Sequence, residues 1–163
     1  MKVPDPVVIR PASLADSRDI WSWRNDVRTQ EMMITPGPVA WETHAAWFEQ
    51  TLASSSRWLY VGEIEALKVG ICRIDLVPES GSAEVSLNLN PAARGRGLAA
   101  PFLGAVLDRF QQEVPLAVDL VAVIKRHNLP SVKCFTRCGF VLASEDPDLL
   151  RFVRRRPGGS HLA

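Results

Sequence analysis

The stretch Asn90-Pro91-Ala92-Ala93-Arg94-Gly95-Arg96-Gly97-Leu98-Ala99 carries the residue types best suited to chemistry. It joins a strand-like run, Glu84 to Leu89, to a long amphipathic run that starts near Gly97. Two glycines at a strand-to-helix junction let backbone N–H groups close on a phosphate, and the helix N-terminus adds partial positive charge. Arg94 and Arg96 bring two permanent cations to the same place. The loop therefore reads as a pyrophosphate holder, with a solvated glycine-rich turn as the plain alternative. A dinucleotide site is a third reading, because Gly95-Arg96-Gly97-Leu98-Ala99-Ala100 fits G-x-G-x-x-A. That site requires a buried parallel strand before the loop and an acidic residue ending the next strand. Here Glu84, Ser86, Asn88 and Asn90 alternate with Val85, Leu87 and Leu89, and Asp119 falls inside the strand run Leu116–Ile124. The dinucleotide reading is the weaker one.

Two residues stand out as bases. Glu84, at the head of the strand that leads into the loop, is a carboxylate able to act as a base directly or through water. His44 shares a helix face with Trp47 and Phe48 at i+3 and i+4. Glu31 and Asp75 are weaker candidates, and each of these groups has an ordinary structural alternative. No Ser-His-Asp arrangement is visible. Cys134 and Cys138 are four apart on a helix, but no second ligand pair accompanies them, so no metal site is expected and buried thiols filling a helix face are the better reading.

The elements that must position these groups follow from pattern. At 163 residues the chain is one domain, expected to span 1–156, and Pro157-Gly158-Gly159 begins a tail over 157–163 expected to be disordered. Val7–Arg10 reads as a strand, and Pro11 with Ser13 as N-cap opens a helix to about Asp26. After the turn Thr35-Pro36-Gly37-Pro38, a second helix runs from about Val39 to Ala53. Arg57–Glu63 and Val69–Leu76 are antiparallel strands joined at Ala66-Leu67-Lys68, and Glu79–Ser82 turns into Glu84–Leu89. Gly97–Gln112 is a helix, Leu116–Ile124 a strand, Pro130–Arg137 a helix, and Phe140–Ala143 with Leu150–Arg155 a closing hairpin. Composition alone gives only mixed α and β.

A formal charge of +1 gives no global attraction to nucleic acid or an anionic membrane. The terminal Arg151, Arg154, Arg155 and Arg156 lack interleaved exposed aromatics and read as the solvated end of a strand, so no nucleic-acid partner is expected. No apolar run is long enough to span a bilayer, and Met1-Lys2-Val3-Pro4-Asp5 does not open a signal peptide. Three cysteines give no disulfide framework, which suits a reducing cytoplasm.

Two signatures together carry a resemblance. Arg94-x-x-Gly97-x-Ala99 is similar to the (Gln/Arg)-x-x-Gly-x-(Gly/Ala) signature of the GNAT acyltransferases, and about thirty residues on, Asn128-Leu129-Pro130-Ser131-Val132-Lys133-Cys134-Phe135-Thr136-Arg137-Cys138-Gly139-Phe140 resembles the family's N-x-x-(A/S)-x-x-x-(Y/F)-x-x-x-G-F segment. The resemblance runs from Val7 to about Arg156. It implies an α+β fold: a single GNAT domain with a mixed central sheet, helices on both faces and a V-shaped cleft where one strand splays from its parallel neighbour. It implies acetyl-CoA as acyl donor, no metal, and direct attack by a primary amine. Pantetheine would run along Val85–Leu89, including Leu87 and Leu89. The loop residues Arg94, Gly95, Arg96, Gly97, Leu98 and Ala99 would hold the pyrophosphate, and Asn128, Ser131 and Phe135 would line the arm. Asn128 is equally a helix N-cap. A strand N–H near Leu87 would stabilise the oxyanion, worth about 3 kcal/mol. The chain departs from the family at Phe135, where many members have a tyrosine able to protonate the thiolate; Tyr60, the one tyrosine, lies on an early strand. Homodimers are common in the family, but no self-complementary patch is legible.

The first two helices face the acceptor in this family, and here they hold Trp21, Trp23, Trp41 and Trp47. Trp23-Arg24-Asn25, Arg28 and His44-x-x-Trp47-Phe48 resemble the N-acetyltransferases that acylate a 4-amino group on a nucleotide-linked amino sugar, as in pseudaminic-acid synthesis. Tryptophans would stack on a base or sugar while Arg24 and Arg28 met a diphosphate. Similar patterns occur in ribosomal-protein N-terminal acetyltransferases. A non-catalytic acyl-CoA sensor is the other reading.

Overall fold

The protein is described by a computed structural model, which covers residues 5–115 and 118–158. Seven strands form one sheet in the order β1-β2-β3-β4-β5-β7-β6. They are β1 (Val8–Pro11), β2 (Arg57–Ile64), β3 (Leu67–Val77), β4 (Ser82–Leu89), β5 (Asp119–Lys125), β6 (Val141–Glu145) and β7 (Leu149–Arg154). Every pairing is antiparallel except β4 with β5. Among the described residues five helices cover the faces: α1 (Ser17–Arg24), α2 (Val27–Met32), α3 (Trp41–Ala53), α4 (Ala99–Glu113) and α5 (Leu129–Arg137).

Strand alternation divides the core between two layers. On one face Tyr60, Cys72, Ile74 and Val85 meet Phe102, Leu103, Val106, Leu107 and Phe110, the apolar stripe of α4. On the other, Leu59, Val61 and Ile71 meet Ile20, Trp23 and Phe48 from α1 and α3. Gly62 lets α4 sit close: a Cβ there would lie 2.5 Å from the Phe102 ring. No helix among the described residues is long and apolar enough to cross a membrane.

The helix expected over Pro11–Asp26 is divided in two, and a further helix, α2, follows where none was expected. A 3₁₀ turn at Leu14–Asp16 precedes α1, and α2 starts separately after Asp26. Ser13 donates its backbone N–H to Asp16 Oδ2 at 2.8 Å, while Asp26 takes an extended ψ of 136° and accepts the Thr29 N–H at 3.1 Å. Asp26 is thus a cap that restarts the chain in a new direction. Similarly α3 begins at Trp41 because Val39 N–H and C=O are both taken by the Asn25 amide. β3 starts at Leu67, two residues early, since the tight turn falls on Glu65-Ala66, with Glu65 at φ 54°. Leu116 and Ala117, assigned to a strand by pattern, lie outside the described residues, as does the expected tail beyond Gly158.

The feature that positions the site is a parting of strands. β4 pairs with β3 along its whole length, from Val77↔Ser82 to Gly70↔Leu89. It pairs with β5 only at Ser82↔Asp119, Ala83↔Leu120 and Glu84↔Val121. Beyond Glu84 the β5-facing edge of β4 is open over Val85–Leu89, which is the expected V-shaped cleft.

Candidate active site

A cavity of about 490 Å³ fills the parting and continues to the glycine-rich loop. Leu87, Asn88 and Leu89 of β4 form one wall, Arg94, Gly95, Gly97, Leu98 and Ala99 the end, and Asn128, Pro130, Ser131 and Cys134 the facing wall. Gly95 and Gly97 take φ of 72° and 69°, the left-handed region that glycine alone enters freely, and nothing lies within 4 Å of a Cβ built on either. Among the described residues the amides of Gly95, Arg96, Gly97 and Leu98 donate to no backbone carbonyl, and Leu98, which precedes α4, has no side-chain oxygen to cap the helix. Unbonded amides, open space and a helix N-terminus fit a pyrophosphate, and the open β4 edge fits an amide-bearing arm that pairs like a strand.

Several expected donor contacts are placed differently. Arg96 is exposed at the rim and does not line the cavity. Phe135 is only 3% exposed and packs edge-on against Phe140 at 5.0 Å, so on α5 it is Cys134, not Phe135, that faces the cleft. Arg94 lines the cleft, but its Nη2 sits 2.6 Å from Thr29 Oγ1 and 2.7 Å from Asp26 Oδ2, which ties the loop to α2. That hydrogen bond from Arg94 holds the Asp26 carboxyl below the usual carboxylate range. Asn128 caps α5 through the Ser131 N–H at 3.4 Å and also lines the cleft.

A second cavity, of about 330 Å³, lies on the α1/α3 side of the sheet. Ile20, Arg24, Met33, Val39, Thr43, His44 and Trp47 line it from above, and Leu59, Ile71, Arg73, Ser86, Leu87 and Asn88 from the sheet. Met33, Leu87 and Asn88 border both cavities, so the two spaces meet across β4. Thr29, on the donor side, has Oγ1 3.4 Å from Asn88 Oδ1, linking α2 to this junction.

His44 is 3% exposed, and its Nε2–H donates to the Ser17 carbonyl at 3.0 Å. Burial pushes its pKa below the ordinary 6.5, against the opposing effect of the Ser17 hydrogen bond. The ring is therefore neutral at pH 7, with Nδ1 as its basic nitrogen. Glu84 lies on the same sheet face as Ser86 and Asn88, opposite Asp75 on β3, and lines neither cavity. It stands about 10 Å along the strand from Leu87 at roughly 3.3 Å per residue. Asp75 is engaged with Arg73, Nε to Oδ2 2.9 Å. Tyr60 is buried on the α4 side and donates to Glu113 Oε2 at 3.0 Å; burial raises its pKa, so it replaces no missing phenol at the cleft.

The three consecutive residues Trp23-Arg24-Asn25 point three ways. Trp23 is 6% exposed in the core with Ile20 and Phe48, Arg24 lines the cavity on the α1/α3 side, and Asn25 is spent on the Val39 backbone at 2.9 and 2.7 Å. Arg28 lines the donor cleft instead, so Arg24 and Arg28 are not brought together around one diphosphate. Trp21 and Trp41 stack edge-on at 5.6 Å with Arg18 3.8 Å over the Trp41 ring, which fastens α1 to α3. Of the four tryptophans, Trp47 alone meets the cavity. Sequence reasoning missed Met33, Thr43, Arg73 and Asn88. The strand alternation that puts Ser86 and Asn88 on one face was the available signal for Asn88, and their cross-strand neighbour Arg73 follows from register.

Residues 7–141 match the family described as Acetyltransferase (GNAT) domain. No curated protein matches the chain. Among solved structures, spermidine N-acetyltransferase from Vibrio cholerae in complex with CoA and spermine superposes with a TM-score of 0.80 at 17% identity, covering 90% of this chain and 94% of that one. A putative phosphinothricin N-acetyltransferase superposes at 0.75 with 27% identity, covering 91% and 98%. An aminoglycoside acetyltransferase in complex with coenzyme A and kanamycin gives 0.76 at 17%, covering 92% and 95%. With the parted strands, the amide-lined loop and the matched family in view, the chain belongs to the GNAT acetyltransferase family and is an acetyl-CoA-dependent N-acetyltransferase of that kind.

Proposed function

We propose that this chain acetylates the primary amine of a small molecule by direct attack in a ternary complex. The observation that carries the reading is the meeting of two cavities at Met33, Leu87 and Asn88, one fit for the donor and one enclosed by side chains. Acetyl-CoA, when bound, supplies an activated thioester. The loop amides of residues 95–99 hold its pyrophosphate, the open edge of β4 orients its arm, and the Leu87 N–H donates to the carbonyl oxygen. The acceptor stands on Trp47 and Leu59 with its amine toward Asn88. Neutral His44 removes the amine proton through Nδ1, a step worth about 10²-fold in rate or more. Glu84 is the competing base and acts through water from its place further along β4. With Phe135 in the core, the proton that His44 has taken from the amine passes from Nδ1 to the leaving sulfur, directly or through water.

For the acceptor, the nucleotide-linked 4-amino sugar keeps Arg24, His44 and Trp47 as contacts and loses Trp23, Asn25 and Arg28. A cavity of about 330 Å³ suits the sugar and leaves the nucleotide outside it. The test is the initial rate of thiol release with acetyl-CoA and amine both varied. The amines are a UDP-linked 4-amino-dideoxy sugar and a set of N-terminal peptides. Intersecting lines are expected; parallel lines with an isolable acyl-cysteine overturn direct attack. Release with the sugar supports the acceptor reading, and release with peptides alone moves it to protein N-termini. Bound acetyl-CoA with no release from any amine identifies a sensor.

A further inference from the structure

The acceptor cavity has an unusual charge balance. Its lining includes Arg24 and Arg73 and no aspartate or glutamate, and its one histidine is held neutral. Arg73 is matched by Asp75 at 2.9 Å and lies 5.7 Å from the Trp47 ring centroid. Arg24 is not matched. Its Nη1 donates to the Gly37 carbonyl at 3.3 Å and its Nη2 to the Thr35 carbonyl at 2.9 Å, and no carboxylate pairs with it among the described residues. A guanidinium has five N–H donors, so three remain. Burial already disfavours its charged form. A half-buried cation facing a cavity, with donors to spare and no counter-ion of its own, is satisfied by an anion that arrives with the ligand.

We infer that Arg24 is an anion subsite, and that the acceptor is an amine carrying a carboxylate, phosphate or phosphonate group held there while its amine points to Asn88. This rests on the transferase reading above and deepens it. The same balance rejects polycations: a polyamine or aminoglycoside would place ammonium groups beside two arginines with no carboxylate in the lining. The anion has two sources, the diphosphate of a sugar nucleotide or the acid group of an amino acid.

The test is kcat and KM for matched amines in thiol release at saturating acetyl-CoA. Glucosamine 1-phosphate is compared with glucosamine, L-methionine with L-methioninamide, and spermidine and kanamycin serve as polycations. Each anionic member is expected to exceed its neutral partner by about tenfold in kcat/KM, the size of one charge-assisted hydrogen bond. In Arg24→Gln the preference disappears because KM rises more for the anionic member than for its neutral partner, while CoA binding is unchanged. Arg24→Lys restores part of the preference. Which pair shows the larger preference names the source. Faster release with polycations or neutral members overturns the inference and leaves the transferase intact. Equal slowing of both members in Arg24→Gln also overturns it, since that marks Arg24 as a strut for the Thr35–Gly37 turn. No release from any amine, with acetyl-CoA still bound, overturns the transferase reading itself and this inference with it.

Discussion

The donor cleft and the acceptor cavity share a wall but are built from different material. The cleft we assign to the donor offers main chain: an open strand edge over Val85–Leu89, unbonded amides at Gly95–Leu98 and two glycines with positive φ. The cavity we assign to the acceptor is lined by side chains: Arg24, His44 and Trp47 from the helices and Arg73 from the sheet. A main-chain site recognises what every donor of its class has in common, a pyrophosphate and an amide-bearing arm. A side-chain site recognises whatever its particular residues complement, and it changes with any one of them. The shared fold of spermidine, aminoglycoside and putative phosphinothricin acetyltransferases therefore carries no information about this chain's amine.

The contrast breaks most visibly at Gly97. In Gly97→Val a β-branched residue must take φ near 69° and its side chain enters the open phosphate space. Titration calorimetry should show CoA affinity lower by about 10²-fold or more, since the strain alone costs about 1–3 kcal/mol. Affinity within threefold of wild type would refute the main-chain account. On the other side of β4, His44→Gln should lower kcat/KM about 10²-fold while CoA binding holds.

The His44 pKa, lowered by burial, sharpens the same comparison. Activity should persist as pH falls to about 6.5 and then decline through a limb below the ordinary histidine value, a limb absent in His44→Gln. The linked effect on stability has the same direction. Below about pH 6.5 the unfolded chain binds a proton that the folded chain resists, so stability falls as pH falls through that window.

Asp16 provides a change that touches neither cavity. Its buried carboxylate accepts from Arg10 at 2.7 and 2.8 Å, from the Ser13 N–H at 2.8 Å, and lies 3.0 Å from Lys68. Asp16→Asn should cost about 2 kcal/mol in urea unfolding at pH 7, discounted from a fully buried pair because Arg10 and Lys68 are partly exposed. The hydrogen bond from Arg10 depresses the folded pKa, so this stability is present above about pH 4 and is lost as pH falls below it. The smallest effect is expected at the link between the halves. Asp26→Ala removes one of the two ties between Arg94 and α2, leaving the bond to Thr29, and should shift both KM values by about threefold, the scale of a partly exposed ion pair.

The same division decided what could be read from sequence. Arg94-x-x-Gly97-x-Ala99 and Asn128 were legible because main-chain conformation restricts residue type at fixed spacing. The mixed sheet and the parting of one strand from its parallel neighbour came with that family resemblance. The acceptor side was legible only in part. His44 and Trp47 were found from a shared helix face, but Trp23 and Arg24 are adjacent and one helical step of about 100° separates core from cavity. The break at Asp26, which sends Arg28 to the donor side, depends on a capping bond to Thr29 that competes locally with a continuous helix. Phe135 was misplaced because a motif fixes a position on α5 and not the direction in which its side chain packs.

The central claim is that donor and acceptor meet at Leu87 and Asn88. A crystal structure with acetyl-CoA bound tests it most directly. The account predicts pyrophosphate on the amides of residues 95–99, the arm along Val85–Leu89, and the thioester oxygen about 3 Å from the Leu87 N–H with its carbon facing the Arg24–His44 cavity. A thioester that ends on the α4 side of the sheet, with no opening to that cavity, would contradict it.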